Sequence, residues 1–359
     1  MGPAYAASNK SKKKALTLAY IAKKQYFCGR KSGDMANTFG DKWSFTSFGE
    51  SHGVAIGGVL DGVPAGLRID LAMIREELDR RKGITSPGPS SRGEIGVSPR
   101  ALREPDEVEW LSGVITPSNS PSRGEIENQK RELISLGTPI AFIIRNKDAR
   151  PEDYEWLKNS YRVGHADKVY EQKYGIRDWR GGGRASARET AARVVAGCIA
   201  KQELAGKGIH IHANLIQVGA ETDPTKFAET IAAYQREGDS IGGIIECRIS
   251  GLPVGTGEPI FDKLQAHLAF AVMSINACKG FEYGTGFGGV TKPGSEINAI
   301  SGGIAGGISD GSEVVFRCVF KPTPSTPKAG VKGRHDACVA TRAVPVVEAM
   351  TAIALVNLL

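Results

Sequence analysis

RGGGRASARETAARVVAGCIAKQ, residues 180–202, joins three glycines to the strongest helical pattern in the chain. Ser186 is followed three residues later by Glu189, which is the capping-box spacing and predicts a helix beginning at Ser186. The glycines allow the backbone to approach a ligand, and the N–H groups of the first turn face it. Arg188 opposes the helix dipole there, which favours an anion bound at this end. The alternative is a glycine-rich turn with solvated arginines.

Three further segments have apolar residues at helical spacing: LAMIREELDRR (71–81), FDKLQAHLAFAVMSI (261–275) and AVPVVEAMTAIALVNLL (343–359). The last of these predicts a helix with Pro345 near its first turn, where the missing N–H is harmless. Residues 82–104 and 115–136 are rich in Pro, Ser and Gly, so we expect both to be loops.

The two halves of the chain resemble each other. IGGVLDGVPAG (56–66) is echoed by IGGIIECRISGLPVG (241–255), and each leads into an amphipathic helix. A strand, a basic segment with His and Asp, and a final helix follow in both halves. This order predicts one α+β domain, a layered β-α-β sandwich with internal pseudo-duplication.

A net charge of +7 and a pI near 9.0 suit an anionic partner, either a nucleic acid or a small polyanion. The arginines stand singly beside glycines, without the interleaved aromatics of a nucleic-acid surface, which favours a small anion in a pocket. RNA binding stays an alternative that rests on charge alone. We expect that no apolar run approaches the roughly 18–20 residues of a membrane helix, and therefore expect no membrane partner.

The cysteines are widely spaced, and several lie in apolar runs, which is typical of buried reduced thiols in a cytoplasmic protein. They are Cys28, Cys198, Cys247, Cys278, Cys318 and Cys338. The HIH at 210–212 fits one face of a strand, and without nearby ligands we predict no metal. Residues 1–34 are basic and contain no acidic residue before Asp34, so we place them outside a domain of 35–359. A targeting segment is the alternative for this extension.

SFGESHG (47–53) places Glu50 and His52 between glycines, which suits a proton-transfer group on a loop; a turn closing a strand is the alternative. VGHAD and GRHD also set a histidine near a carboxylate. The sequence contains no Walker loop, which disfavours nucleotide hydrolysis. We also expect neither Rossmann hydride transfer nor serine hydrolysis.

Five blocks together resemble chorismate synthase, in order, from about Met35 to the last residue. They are FTSFGESHGVAIGGVLDGVPAG, YRVGHADKVYEQKYGIRDWRGGGRASARETAARVVAG, GDSIGG, MSINACKGFEYGTGF and KGRHDACVATRAVPVVEAM. The resemblance implies a lyase that converts 5-enolpyruvylshikimate 3-phosphate to chorismate by 1,4-elimination of phosphate, with reduced FMN that is not consumed.

By motif position, the resemblance implies three catalytic residues. His165 would protonate the departing phosphate, His52 would supply a proton to the reduced flavin, and Asp336 would act with the flavin in removing the ring proton. Substrate anions would be held by Arg81, Arg188 and, less directly matched because of the 82–104 insertion, Arg100. Several arginines suit a substrate with one phosphate and two carboxylates.

The flavin cradle, by the same matching, comprises Ser186, Ala187, Arg188, Asn276, Ala277, Gly306, Lys321, Pro322, Thr323, Pro324, Ser325 and Arg334. The resemblance also implies a homotetramer. We expect an external reductant, because no nicotinamide-binding segment is evident. Ala337 replaces the usual proline after the Asp of GRHD, and the loops around 287–300 and 325–333 are short for the family. A non-catalytic flavin-binding relative is therefore the alternative function.

Overall fold

A computed structural model provides the structure, and it describes residues 37–83, 106–117, 132–297, 301–331 and 336–359. The N-terminal extension 1–34, Arg100 and Arg334 lie outside the described residues, so these predictions have no structural counterpart below.

The first half of the described chain contains the segments β1 to β8 and α1 to α3. They are β1 (Thr38–Phe39), β2 (Ser44–Gly49), β3 (Ala55–Asp61), β4 (Arg68–Asp70), α1 (Leu71–Lys82), β5 (Val108–Ser112), β6 (Val114–Ile115), β7 (Glu132–Ser135), β8 (Ile140–Arg145), α2 (Asp167–Tyr174) and α3 (Thr190–Ala205). Short 3₁₀ segments at Pro151–Asn159, Gly183–Ala185 and Ala187–Glu189 lie between β8 and α3.

The second half contains β9 to β14 and α4 to α7. They are β9 (His210–Val218), α4 (Phe227–Arg236), β10 (Gly243–Ser250), α5 (Leu264–Met273), β11 (Cys278–Tyr283), α6 (Gly294–Ile297), β12 (Ile304–Ala305), β13 (Ile308–Ser309), β14 (Val314–Phe320) and α7 (Ala340–Leu358). Short 3₁₀ segments lie at Pro224–Lys226 and Gly286–Thr291.

Two antiparallel sheets share one strand order. The larger sheet runs β1-β2-β3-β8-β5, and the other runs β11-β14-β10-β9, so that β2-β3-β8-β5 corresponds to β9-β10-β14-β11. In chain order, α1 comes after β3 and α5 after β10. A second long helix comes after the final strand of each set, with α3 after β8 and α7 after β14. Small sheets β4-β7-β6 and β12-β13 complete the described strands. The predicted α+β class is confirmed.

The long helices α3 and α7 pack against each other and are apolar on most of their surface. α3 also contacts β3 of the larger sheet, and α7 contacts β9 and β10 of the other. Gly197 of α3 faces Ala349 of α7 so closely that a Cβ at position 197 would lie 2.3 Å from the Cα of Ala349. A helix that is hydrophobic all round belongs in a core, and both helices are buried there.

The helix α7 corrects two predictions. Ala340–Leu358 is 19 residues long, with a mean hydropathy of 1.3, so it is long and apolar enough to cross a membrane by those criteria. The expectation that no apolar run approaches that length was therefore wrong. Because 72% of the apolar window is buried within the fold, α7 has the character of a core helix. It begins earlier than predicted, so Pro345 lies inside the helix rather than in its first turn.

Two local predictions also need correction. The helix after the glycines begins at Thr190, because residues 187–189 form a 3₁₀ turn. Ser186 Oγ accepts the N–H of Arg188 at 3.3 Å, as a cap should, whereas the carboxylate of Glu189 pairs with Arg193 at 3.0 Å instead of completing the box. The segment 115–136 is not entirely a loop, since it ends in β7.

Candidate active site

The three glycines of RGGGR bring together residues that are far apart in sequence. Gly181, Gly182 and Gly183 have φ of 61°, 88° and 53°, which side chains rarely adopt. A Cβ at Gly181 would lie 2.1 Å from the ring of His52, and one at Gly182 would lie 2.7 Å from Cε1 of His165. Both imidazoles therefore pack against the backbone of one glycine turn.

His165 is held by a carboxylate from its own segment. Its Nδ1 lies 2.8 Å from Oδ1 of Asp167, and Arg162 Nη2 donates to the same oxygen at 2.8 Å. Burial raises the pKa of the Asp167 carboxyl, but hydrogen bonds from Arg162 and His165 outweigh it, and the net pKa is well below the usual range. Arg162 Nη2 also lies 3.1 Å from Nδ1 of His165, so Nδ1 is enclosed by Asp167 and Arg162 and Nε2 is the ring nitrogen left for proton transfer.

His52 lies in the turn between β2 and β3. Ser51 Oγ is 3.1 Å from its Nδ1 and also donates to the carbonyl of Gly181 at 3.4 Å. The ring of Tyr154 meets the imidazole edge-on, with centroids 4.8 Å apart. These contacts fix the ring from one side, while the glycine turn covers another.

Glu50, the other polar residue of SFGESHG, lies under the third glycine. A Cβ at Gly183 would be 2.3 Å from its Oε2. Burial raises the pKa of the Glu50 carboxyl, although the positive charge of Arg184 acts in the opposite direction. Arg184 in turn donates to the carbonyl of Gly49 at 3.3 Å and so ties the end of β2 to the glycine turn.

Two predicted anion-binding arginines share one buried carboxylate. Arg81 Nη2, at the end of α1, lies 3.0 Å from Oδ2 of Asp106, and Arg188 Nη1 donates to Oδ1. Burial opposes the charge on Asp106, yet the two guanidinium groups lower its pKa to about 2. Burial, reinforced by Arg342 and Arg188, lowers the pKa of Arg81 to about 10, so it is charged at neutral pH.

Asp336 lies at the other side of this cluster. Its Oδ2 is 2.6 Å from Arg342 Nη1, and Arg342 Nε donates to the backbone carbonyl of Arg81 at 3.0 Å. Oδ1 of Asp336 is buried and accepts no hydrogen bond in the part of the chain that the structure describes. One carboxylate oxygen is therefore held by Arg342, while the other has no hydrogen-bond partner among the described residues.

Most of the segments predicted to bind the flavin also contact one another. Asn276 Nδ2 donates to the carbonyl of Ser186 at 3.2 Å, and the N–H of Lys321 donates to the carbonyl of Ala277 at 3.0 Å. Ala277 has a φ of 69°, a strained conformation that often marks a functional site. Ser325 Oγ is buried and has no hydrogen-bond partner within the described ranges.

The turn after Lys321 reaches the histidine segment. A Cβ at Gly164, next to His165, would lie 2.9 Å from Cβ of Pro324. Burial lowers the pKa of Lys321, and the neighbouring charge of Lys279 lowers it further. A lysine whose pKa is lowered by a second cation, an unpartnered hydroxyl and a strained backbone fit a site for an anionic ligand.

Gly306 lies on a separate hairpin from the other predicted flavin-binding residues. It is in the turn between β12 and β13, and the carbonyl of the adjacent Gly307 accepts the N–H of Leu264 at 2.8 Å. This hairpin therefore contacts the start of α5, whereas Asn276 follows its end. The helix is 10 residues long, which separates the two by about 15 Å along its axis.

Three residues that complete the site were not singled out from the sequence. They are Asn146, Arg342 and, joining the two arginines, Asp106. Asp167 is the carboxylate that VGHAD places two residues from His165. Asp106 follows a long non-periodic segment, so no pattern marked it. Among the described residues, no group of three or more His, Cys, Asp or Glu side chains is placed to hold a metal ion.

Comparison with known proteins decides the family. A family model described as chorismate synthase matches residues 43–359. The chain belongs to the chorismate synthase family. It is 43% identical over 376 residues to a chorismate synthase of Phocaeicola vulgatus, covering 90% of this chain and 97% of that protein. A chorismate synthase of Bacteroides thetaiotaomicron is 44% identical over 376 residues, again covering 90% and 97%.

A solved structure agrees with these relatives. A crystal structure of chorismate synthase superposes with a TM-score of 0.65 at 28% identity, covering 89% of this chain and 92% of that one. The resemblance drawn from the five sequence blocks is thus confirmed. The roles of individual residues are not tested by these comparisons and stay predictions.

Proposed function

We propose that the chain is a chorismate synthase, a lyase that eliminates phosphate from 5-enolpyruvylshikimate 3-phosphate to give chorismate. The observation that carries the proposal is the convergence of His52 and His165 on the glycine turn, next to the Arg81–Asp106–Arg188 cluster. A proton donor beside fixed guanidinium groups is what loss of a phosphate requires.

His165 is the general acid for the departing phosphate. Its Nδ1 is engaged by Asp167, so the proton is delivered from Nε2 at the face toward the glycine turn. Asp167 is therefore the residue that orients this acid.

Arg81 and Arg188 bind the anionic groups of the substrate, with Arg100 as a further candidate. Both guanidinium groups are fixed by Asp106 before substrate arrives, so little side-chain entropy is lost on binding. Asp106 neutralises only part of their combined charge, which leaves the cluster attractive to a phosphate or carboxylate.

The cofactor in this proposal is reduced FMN, held by Ser186–Arg188, Asn276, Ala277 and Lys321 to Ser325, with Arg334 and Gly306 as further candidates. When bound, reduced flavin supplies electron density to the reacting ring without being consumed. His52 provides a proton on the cofactor side. Asp336 removes the ring proton with its unoccupied oxygen, while Arg342 holds the other.

The remaining proposals concern architecture and context. We infer that the two equivalent sheets flank the helices as a β-α-β sandwich, within one domain of residues 35–359. The assembly is a homotetramer, which is supported by exposed apolar side chains such as Phe261, Phe287 and Val290. The protein acts in the cytoplasm with an external flavin reductant.

An anaerobic assay tests the proposed function. Purified protein, FMN, a chemical reductant and 5-enolpyruvylshikimate 3-phosphate should yield chorismate and phosphate in equal amounts. The matched control replaces reduced FMN with oxidised FMN and should give neither product. Tight flavin binding without either product would instead support the non-catalytic relative, and binding of neither flavin nor substrate would exclude both.

A further inference from the structure

Asn146 follows β8 and clamps the turn that carries His52. Its Nδ2 donates to the carbonyl oxygens of Glu50 at 2.9 Å and Gly53 at 3.0 Å, the two ends of that turn. Its backbone N–H donates to the carbonyl of Val54 at 3.1 Å. One residue therefore makes three hydrogen bonds to the segment around the imidazole.

The other side of the same amide holds Arg188. The Nε of Arg188 donates to Oδ1 of Asn146 at 3.1 Å. The amide orientation is unambiguous, because backbone carbonyls only accept and a guanidinium only donates. A side chain that donates twice and accepts once is required here. Aspartate has the same shape but lacks both donors.

We propose that Asn146 is a positioning residue that sets the separation between the anion-binding guanidinium of Arg188 and the imidazole of His52. This inference rests on the proposed function. A reacting constellation has to be held to within about 0.5 Å, and a misplacement of about 1 Å costs on the order of 100-fold in rate. The amide links the Arg188 guanidinium to the backbone turn that carries His52.

Two substitutions separate the two sides of the amide. Asn146→Asp keeps the acceptor for Arg188 but removes both donors to the turn, so kcat for phosphate release should fall about 10- to 100-fold while KM changes by less than about threefold. Asn146→Leu also removes the Arg188 contact and should raise KM about tenfold further. Asn159→Asp makes the same chemical change at an exposed position and should leave both constants unchanged.

A readout independent of turnover distinguishes failure of this inference from failure of the proposed function. With histidine labelled for NMR, the His52 signal is assigned by its loss in His52→Gln. Asn146→Asp and Asn146→Leu should both shift the His52 signal and leave that of His165 in place. If the wild type does not turn over, the proposed function has failed, but these signals still decide the inference. An unshifted His52 signal, an equal disturbance of both histidines, or an unchanged kcat in a catalytically active protein would overturn it.

Discussion

Replacing Gly181 by alanine should displace His52 while leaving the fold intact. The new Cβ would lie 2.1 Å from Cε1 and Nδ1 of the imidazole, whereas an ordinary contact is about 3.5–4.0 Å. The ring has to move by about 1.5 Å to relieve the contact. Since a misplacement of about 1 Å costs on the order of 100-fold in rate, Gly181→Ala should lower kcat by at least that factor.

The backbone cost of this change is small and can be measured separately. Alanine at a φ of 61° costs about 1–2 kcal/mol, which lowers the Tm of a chain this size by only a few degrees. Gly175, at the end of α2, has a φ of 78°, and a Cβ added there would meet nothing within 4 Å. Gly175→Ala is therefore the matched control, with a similar loss of stability and no clash.

The assay compares Tm and kcat for the two variants and the wild type. We expect similar, small losses of Tm in both variants and a loss of kcat in Gly181→Ala alone. Equal kcat values for the two variants would refute the argument that the glycine turn positions His52. A much larger loss of stability in Gly181→Ala would show that the ring cannot move aside.

Four further outcomes are expected. His165→Ala should lower the rate about 10²- to 10⁴-fold with FMN binding retained, as measured by flavin titration; an unchanged rate would remove His165 from the chemistry. Asp336→Asn should fold and bind FMN yet turn over at least about 100-fold more slowly, and loss of flavin with normal rate per bound cofactor would make the residue structural. Asp106→Asn should cost about 3–5 kcal/mol in urea unfolding, because Arg81 loses its buried counter-charge. The pKa of Asp106 is lowered from 3.8 to about 2, so its stabilisation is present above about pH 4 and lost as the pH falls toward 2; the variant should lack this component of acid unfolding. A chain starting at Met35 should keep both Tm and activity, and a large loss of either would show that the extension packs on the domain.

The periodicity of apolar residues was sufficient to predict core elements from the sequence. The helical spacing of the apolar residues in α1 follows from the face that this helix buries, so α1 was predictable. The beginning of α3 was less so, because the 3₁₀ turn at Ala187–Glu189 depends on how Glu189 pairs with Arg193. A capping-box pattern in the sequence does not show whether Glu189 bonds to the helix N-terminus or pairs with Arg193.

The site was only partly predictable, for a physical reason. His52 and His165 meet because three consecutive glycines adopt positive φ, and glycine permits that conformation without specifying it. Asp106 and Asn146 act through long-range contacts, at separations of 82 and 42 residues from Arg188, which leave no local pattern. The flavin came from family resemblance alone, since this site uses no dinucleotide-binding motif.

Counting phosphate released per reduced FMN tests the central claim most directly. The elimination involves no net oxidation, so substrate in large excess over reduced FMN, without oxygen, should release many phosphates per flavin while the flavin spectrum stays reduced. The same mixture without protein is the control for uncatalysed release. One phosphate per flavin oxidised, or equal release without reduced flavin, would contradict the account.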